Sequence, residues 1–388
     1  MKAFTNAKLV FPDRIEDGTV LVEDGKILAS GNVLPPKQAE VIDLAGAYLG
    51  PGLVDNHCHG YIDPVHRENC RDMASDPEGA ARGHLRAGTT SITPSAAYSW
   101  TKEAFLNMTR LCRKAIARGD SSIIGIHFEG PFTNPKYGAR SENAWTYSRE
   151  VCDEILDAAG EDLLHCTYAP ELPNAPEFEQ ILRSRGIVMD IGHTELSPED
   201  ARRAVANGAS VVTHLFDAMG CWRGRDSIAQ TGVLQESADA VLLSMPGLMY
   251  ELICDSRGVH VKPCNAALAL RAAGEDNIIL ITDSADRMDY DPHDFPPEDP
   301  HSAMDLRFNE RGQLSGSGLV LSAACRNFMR FTGADIRTAF KCASYNPARA
   351  LRLDGRVGSI LPGRDANLLV VNEAFEVQKV YFRGEPVE

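Results

Sequence analysis

The chain has 388 residues, 44% hydrophobic and 24% charged, so it can bury a large core and exceeds one average domain. Its 39 Lys+Arg against 54 Asp+Glu leave a net charge of −15, spread along the chain with no basic stripe to neutralise phosphates, which argues against a nucleic-acid partner. No apolar run approaches the ~20 residues of a membrane span. No signal-peptide apolar core opens the chain and its ten cysteines form no C-x-x-C pair, so the expectation is reduced thiols in the cytoplasm.

Residues 1–48 alternate apolar and polar side chains, as in Lys8-Leu9-Val10-Phe11 and Thr19-Val20-Leu21-Val22. Glu23-Asp24-Gly25-Lys26 between two such runs is a hairpin signal. The far end does the same over 366–372 and 377–382, turning at Arg383-Gly384. These patterns predict one small β-sandwich built from residues 1–48 and 350–388, carrying 49–349 as an insertion.

That insertion alternates apolar runs with amphipathic stretches. Strands are predicted over 49–55, 90–94, 123–129, 164–169, 187–192, 211–215, 252–255 and 278–283, and helices over 78–87, 102–117, 149–159, 177–185, 197–206 and 263–273. Alternation of this kind means parallel strands with crossover helices, and eight strands mean a closed (β/α)8 TIM barrel of the α/β class. A doubly wound open sheet is the rival, but only a barrel brings the ends of many strands to one mouth.

The first of these strands ends in L-G-P-G-L-V-D-N-H-C-H-G, where the period of two puts His57 and His59 on one side. Further strands end in Glu129, His193, His214 and Asp283. Taken singly, each has an ordinary reading as a helix cap or a core histidine. Gathered at one mouth they form a mixed N/O set suited to Zn²⁺ or another divalent first-row ion, with a position left for water.

These segments resemble the amidohydrolase superfamily, and within it the N-acetylglucosamine-6-phosphate deacetylases. The resemblance runs through P-G-L-V-D-N-H-C-H-G (51–60), G-I-H-F-E-G-P-F (125–132), G-H-T (192–194), T-H-L-F-D-A-M (213–219), T-D (282–283) and L-S-G-S (314–317), so it covers essentially the whole chain. It implies Glu129, His193 and His214 as principal metal ligands, a second ion held by His57 and His59 and bridged by Glu129, and Asp283 as the acid/base near the metal. One or two divalent ions per subunit, expected to be zinc, would polarise the acetyl carbonyl and acidify water. For the substrate it implies Arg225 and His260 at the phosphate, with Arg225 reaching into a neighbouring subunit of a homodimer. It also implies contacts from Ala139, Arg140, Asp217, Ala218, Arg257 and the Leu314, Ser315, Gly316 run.

Several positions depart from that pattern. Arg140 stands where histidine is usual, Asp217 replaces asparagine, the motif before His260 reads Arg257-Gly258-Val259, and Tyr61-Ile62-Asp63-Pro64 replaces a glycine-rich run. All are groups expected to touch sugar or phosphate. The expected reaction is therefore hydrolysis of N-acetylglucosamine 6-phosphate to glucosamine 6-phosphate and acetate, with an epimeric N-acetylhexosamine phosphate or another anionic N-acyl amine as the alternative. A non-catalytic barrel is the different-class rival. A cyclic-amide hydrolase would place a carboxylated lysine at the fourth strand's end, where this chain has His165-Cys166-Thr167-Tyr168-Ala169-Pro170. The long loop 288–304 after the last strand could act as a lid.

Overall fold

The computed structural model describes residues 1–64, 69–139, 145–220 and 236–388. Eight parallel strands form its centre: β1 (Leu53–Cys58), β2 (Thr89–Ala97), β3 (Ile126–Glu129), β4 (Leu163–Tyr168), β5 (Val188–Ile191), β6 (Ala209–Val212), β7 (Met249–Ile253) and β8 (Ile278–Ile281). Each pairs with its sequence neighbours, in the order β8-β7-β6-β5-β4-β3-β2-β1. The seam between β8 and β1 is stitched just past the strands. Asp283 N donates to the His57 carbonyl at 2.9 Å and His59 N to that of Ser284 at 2.9 Å. Deeper in the seam, Thr282 Oγ1 donates to the buried Asp55 carboxylate at 2.6 Å.

The strands are buried on both faces because helices cover the outside. Lys102–Arg118 explains how. Phe105, Met108, Thr109, Cys112 and Ala115 recur at helical spacing and are all buried. Thr101 caps its first turn, and Gly119 ends it in the left-handed conformation at φ 75°. The Phe105 ring meets Phe128 of β3 at 4.4 Å, and burial of such a side chain contributes about 1.5–3 kcal/mol. A helix follows every strand, including two the apolar pattern did not reveal, Ala238–Leu243 and Leu321–Thr332.

Both chain ends join one further eight-stranded sheet. Lys2–Val10 lies at its middle, between Ile15–Glu23 on one side and Glu40–Asp43 and Tyr48–Pro51 on the other. Leu368–Val371 and Val377–Phe382 extend it. Phe4, Leu9, Val20, Ile27, Leu49, Leu368 and Tyr381 enclose a second core beneath it. The predicted hairpin is present, with Asp24 and Gly25 both at positive φ, 49° and 74°, as a two-residue hairpin turn requires. The segment expected as one strand over 49–55 is two. Tyr48–Pro51 belongs to the outer sheet, and β1 begins at Leu53, with Gly52 at the crossing. A Cβ on Gly52 would lie 2.1 Å from the Thr90 hydroxyl, so only glycine lets the chain pass this close to β2.

The long loop after β8 is packed. It makes short turns at Pro292–Asp294 and Pro300–Ser302, and His301 stacks on Phe308 at 4.0 Å and on Phe295 at 5.0 Å. It lies against a hairpin of Leu306–Phe308 and Leu314–Ser317. Among the described residues no helix is long and apolar enough to cross a membrane. Each described cysteine is a free thiol.

Candidate metal centre

The strands' carboxyl ends bring six side chains to one point. Glu129 Oε1 lies 2.8 Å from His193 Nε2 and 3.2 Å from His214 Nε2, and those two nitrogens are 3.1 Å apart. Glu129 Oε2 faces the other way, 3.2 Å from His59 Nε2, which is 3.2 Å from His57 Nε2. Asp283 Oδ1 stands 3.3 Å from His59 Nε2 and 3.7 Å from His57 Nε2. Glu129 thus bridges two sets of ligand atoms, one with His193 and His214 and one with His57 and His59.

Three of these residues hold a backbone conformation that non-glycine residues rarely adopt: His193, His214 and Asp283 lie at φ 47°, 29° and 47°. This turns each strand end sharply inward and explains why β6 and β8 stop short of the expected 211–215 and 278–283.

The far nitrogen of each imidazole is committed. His193 Nδ1 donates to the Tyr137 carbonyl at 3.1 Å, His214 Nδ1 to that of Asp217 at 3.1 Å, and His59 Nδ1 to that of Ser95 at 3.0 Å. His57 Nδ1 donates to the Glu251 carboxylate at 3.3 Å. Carbonyls accept only, so Nδ1 of His193, His214 and His59 carries a proton, and every Nε2 points into the centre, where it can hold a second proton or an ion. Burial alone would pull the imidazoles down, yet Glu129 and Asp283 raise His59 to about 9, and Glu129 and Asp217 raise His214 to about 9. Burial likewise pushes the Glu129 carboxyl up, but His193 and His59 beside it hold it well below the usual range. The cluster therefore demands positive charge at its centre. Ligand atoms about 2.0–2.1 Å from a tetrahedral ion stand about 3.3 Å apart, close to the separations here, so the residues fit a divalent cation.

Two further clusters of ligand-type residues do not make this demand. His127 Nδ1 and Nε2 are met by Ser95 Oγ at 2.8 Å and Thr167 Oγ1 at 3.0 Å, and His165 by Asp190 at 2.6 Å and Thr93 at 3.2 Å. These rings stack at 4.0 Å as a polar layer of the barrel interior, under His57. Cys58, fully buried, sets its thiol 3.2 Å from His84 Nε2 and 3.0 Å from the Gly60 carbonyl.

The centre opens into a cavity of about 390 Å³ lined by His59, Glu129, His193, His214 and Asp283. Of the residues expected at a substrate, Ala139, Asp217, Ala218, Leu314, Ser315 and Gly316 line it too. Arg257 and His260 are not among its lining residues. The Arg257 guanidinium turns outward, donating to Ser302 Oγ at 3.0 Å and to the Pro297 carbonyl. His260 is buried, its Nδ1 on Asp255 at 3.2 Å and its Nε2 3.9 Å from Asp217 Oδ2. Arg140 and Arg225 lie outside the described residues. The cavity also has walls the motifs did not suggest: Tyr98, Trp100, Asp72, Asp286, Arg287 and Arg307. Arg307 carries a legible signal only in hindsight, as a lone cation within an apolar strand, where it donates to Ser315 O at 2.9 Å and Ser315 Oγ at 2.7 Å.

The profile of the amidohydrolase family matches residues 48–387, nearly the whole chain. The chain belongs to the amidohydrolase family. It is a metal-dependent hydrolase on that ground, and the donor set above agrees with it. Among curated proteins it is 29% identical over 369 residues, 93% of this chain and 90% of the relative, to N-acetylglucosamine-6-phosphate deacetylase of Lysinibacillus sphaericus. The crystal structure of the Pasteurella multocida enzyme of that name shares the fold at TM-score 0.84 and 24% identity, covering 99% of each chain. A mutant of the Mycobacterium smegmatis enzyme, solved with N-acetyl-D-glucosamine-6-phosphate, matches at TM-score 0.82 and 25% identity, covering 100% of this chain and 99% of that one.

Proposed function

We propose that this amidohydrolase removes the acetyl group from an amino-sugar phosphate, N-acetylglucosamine 6-phosphate, giving glucosamine 6-phosphate and acetate. The observation that carries the reading is the joint placement of Glu129 between two imidazole pairs and of Asp283 beside them, at the floor of a sugar-sized cavity. The names of the relatives supply the substrate.

Glu129, His193 and His214 would hold one ion, expected to be zinc, and His57 and His59 a second, with Glu129 shared. A divalent ion there supplies Lewis-acid polarisation of the acetyl carbonyl and a more acidic water. The chain's own contribution is the proton path. Burial would raise the Asp283 carboxyl, but the hydrogen bond from His59 and the charge of His57 and His59 lower it, so it stands ionised and ready to accept. It takes a proton from the attacking water as the C–O bond forms and returns it to the amine nitrogen as the C–N bond breaks. Its position is set from both sides: Asp283 N donates to the His57 carbonyl, and the Asp283 carbonyl accepts from Ser317 N at 2.8 Å. Leu314–Ser317 is thereby registered against the acid/base, and Gly316, whose Cβ would lie 2.9 Å from the Asp283 carbonyl, allows that approach.

Three further elements complete this reading: a homodimer completed by Arg225, which rests on the resemblance; cytoplasmic residence, which rests on cysteines that form no C-x-x-C pair; and a barrel of 49–349 folding beside a module of 1–48 with 350–388, which rests on the alternating apolar and polar residues of the two ends. The test is acetate release over N-acetylated sugars with and without a 6-phosphate, with metal content and molecular mass measured on the same sample. Release from N-acetylglucosamine 6-phosphate at least tenfold faster than from the other sugars is expected. No release from any N-acetylhexosamine by metal-loaded protein would refute the proposal.

A further inference from the structure

Strand β7 reads Met249-Tyr-Glu-Leu-Ile253, and the carboxylate at its centre is out of place in a barrel stave. Glu251 is fully buried, and its only ion-pair partner among the described residues is His57, with no lysine or arginine to balance it. Its contacts reach both halves of the metal centre. Oε2 accepts from His57 Nδ1 at 3.3 Å and from the His214 backbone N at 3.4 Å. Oε1 accepts from Asn56 Nδ2 at 2.9 Å, beside His57 in sequence, and the Glu251 carbonyl accepts from Leu215 N at 2.8 Å, beside His214.

The other three imidazoles of the centre donate Nδ1–H to neutral carbonyls. Only His57 donates to a carboxylate, and a charged acceptor makes the opposite nitrogen more basic and fixes the ring plane more firmly. His57 is also the most enclosed member of the cluster, with no exposed surface from which water could replace that partner. Glu251 thus meets the centre through His57 Nδ1, and an ion on His57 Nε2 would stand opposite it across the ring.

We infer that Glu251 is the positioning residue for the second ion: it locks His57 with its Nε2 lone pair aimed at His59 and Glu129, and so decides whether the centre holds one ion or two. This rests on the two-ion reading given under the proposed function. The first ion's ligands, Glu129, His193 and His214, touch Glu251 only through the His214 backbone, so their hold on an ion should survive its loss.

The experiment is a Zn²⁺ competition titration against a chromophoric chelator, with metal counted by mass spectrometry, on the full-length wild type and on E251Q. Two ions in the wild type and one in E251Q, the second site weakened about 10–100-fold and the first within about threefold, are expected. Two ions of unchanged affinity in E251Q, or loss of both, would overturn the role of Glu251 while leaving the two-ion reading standing. A wild type that binds one ion would remove both. Where E251Q is insoluble, E251D serves: it keeps the charge but withdraws it by one methylene from His57. It must lose the second ion selectively, and full retention of both ions in E251D would overturn the inference.

Discussion

Gly138 is the position at which one added methyl should reach the chemistry. It sits at φ 96°, and a Cβ there would lie 2.5 Å from Tyr98 Oη and 2.7 Å from Cε1 and Nδ1 of His193. Neither neighbour is free to swing. The Tyr98 hydroxyl donates to the Ala139 carbonyl at 2.5 Å, and His193 Nδ1 is held by the Tyr137 carbonyl. Ordinary contact begins near 3.5 Å, so in Gly138→Ala the His193 ring must retreat by about 0.8 Å. That exceeds the ~0.5 Å within which a site's groups must be held. A misplacement of this size costs on the order of 100-fold in rate, and the backbone conformation costs about 1–3 kcal/mol of stability besides. Steady-state acetate release and metal content, measured together, should show kcat/KM down about 100-fold, with the ion at Glu129, His193 and His214 bound more weakly. A Gly138→Ala protein with full metal and wild-type kcat/KM would refute the argument that His193 is fixed by this contact.

Three further outcomes follow from the same geometry. Asp283→Asn, nearly isosteric, should keep its metal and lose about 10²–10⁴-fold in turnover, as expected for removal of an acid/base; undiminished acetate release would end that assignment. Chelation should lower the thermal midpoint, because a ligand present at 100 times its Kd stabilises by about 2.7 kcal/mol; superimposable calorimetric traces with and without chelator would contradict it. On the barrel's outside, Arg337 at 2.7 and 2.9 Å, joined by Lys341 and Thr338 and outweighing the upward push of burial, lowers Glu275 to about 2. A depressed carboxyl contributes stability above its unfolded pKa and loses it as pH falls toward 2. Denaturant midpoints should therefore fall more steeply between pH 4.5 and about 2 in the wild type than in Glu275→Gln, and parallel curves would remove Glu275 from the acid response.

What could be seen in the bare chain was what repeats or what is chemically expensive. Period-two apolar runs followed by helical spacing mark a barrel, and imidazoles or carboxylates at the ends of such runs stand out because nothing in packing asks for them. Glu251 escaped because the predicted strand began one residue after it, and a lone carboxylate inside an apolar run looks like an error until its partners, 37 and nearly 200 residues away, are in place. The split at Gly52 was hidden for a related reason: a run of buried residues reads alike whether it lies in one sheet or passes between two. Arg257 was placed by motif alone, and motif spacing does not say which way a long side chain turns at an exposed corner. Ala238–Leu243 is too short to show a periodicity.

The strain at the metal centre and the closure of the barrel are one problem. His193, His214 and Asp283 each hold a left-handed conformation costing about 1–3 kcal/mol, and each persists because a neighbouring strand or loop holds it. Asn134 N donates to the His193 carbonyl at 3.0 Å, Glu251 accepts from His214 N, and Asp283 is gripped between His57 and Ser317. The last of these grips is also the seam of the barrel, since Asp283 N to the His57 carbonyl is a hydrogen bond that joins β8 to β1. Asp283 therefore cannot shift relative to His57 and His59 without opening the cylinder, and the cylinder cannot open without dispersing the six side chains at its mouth.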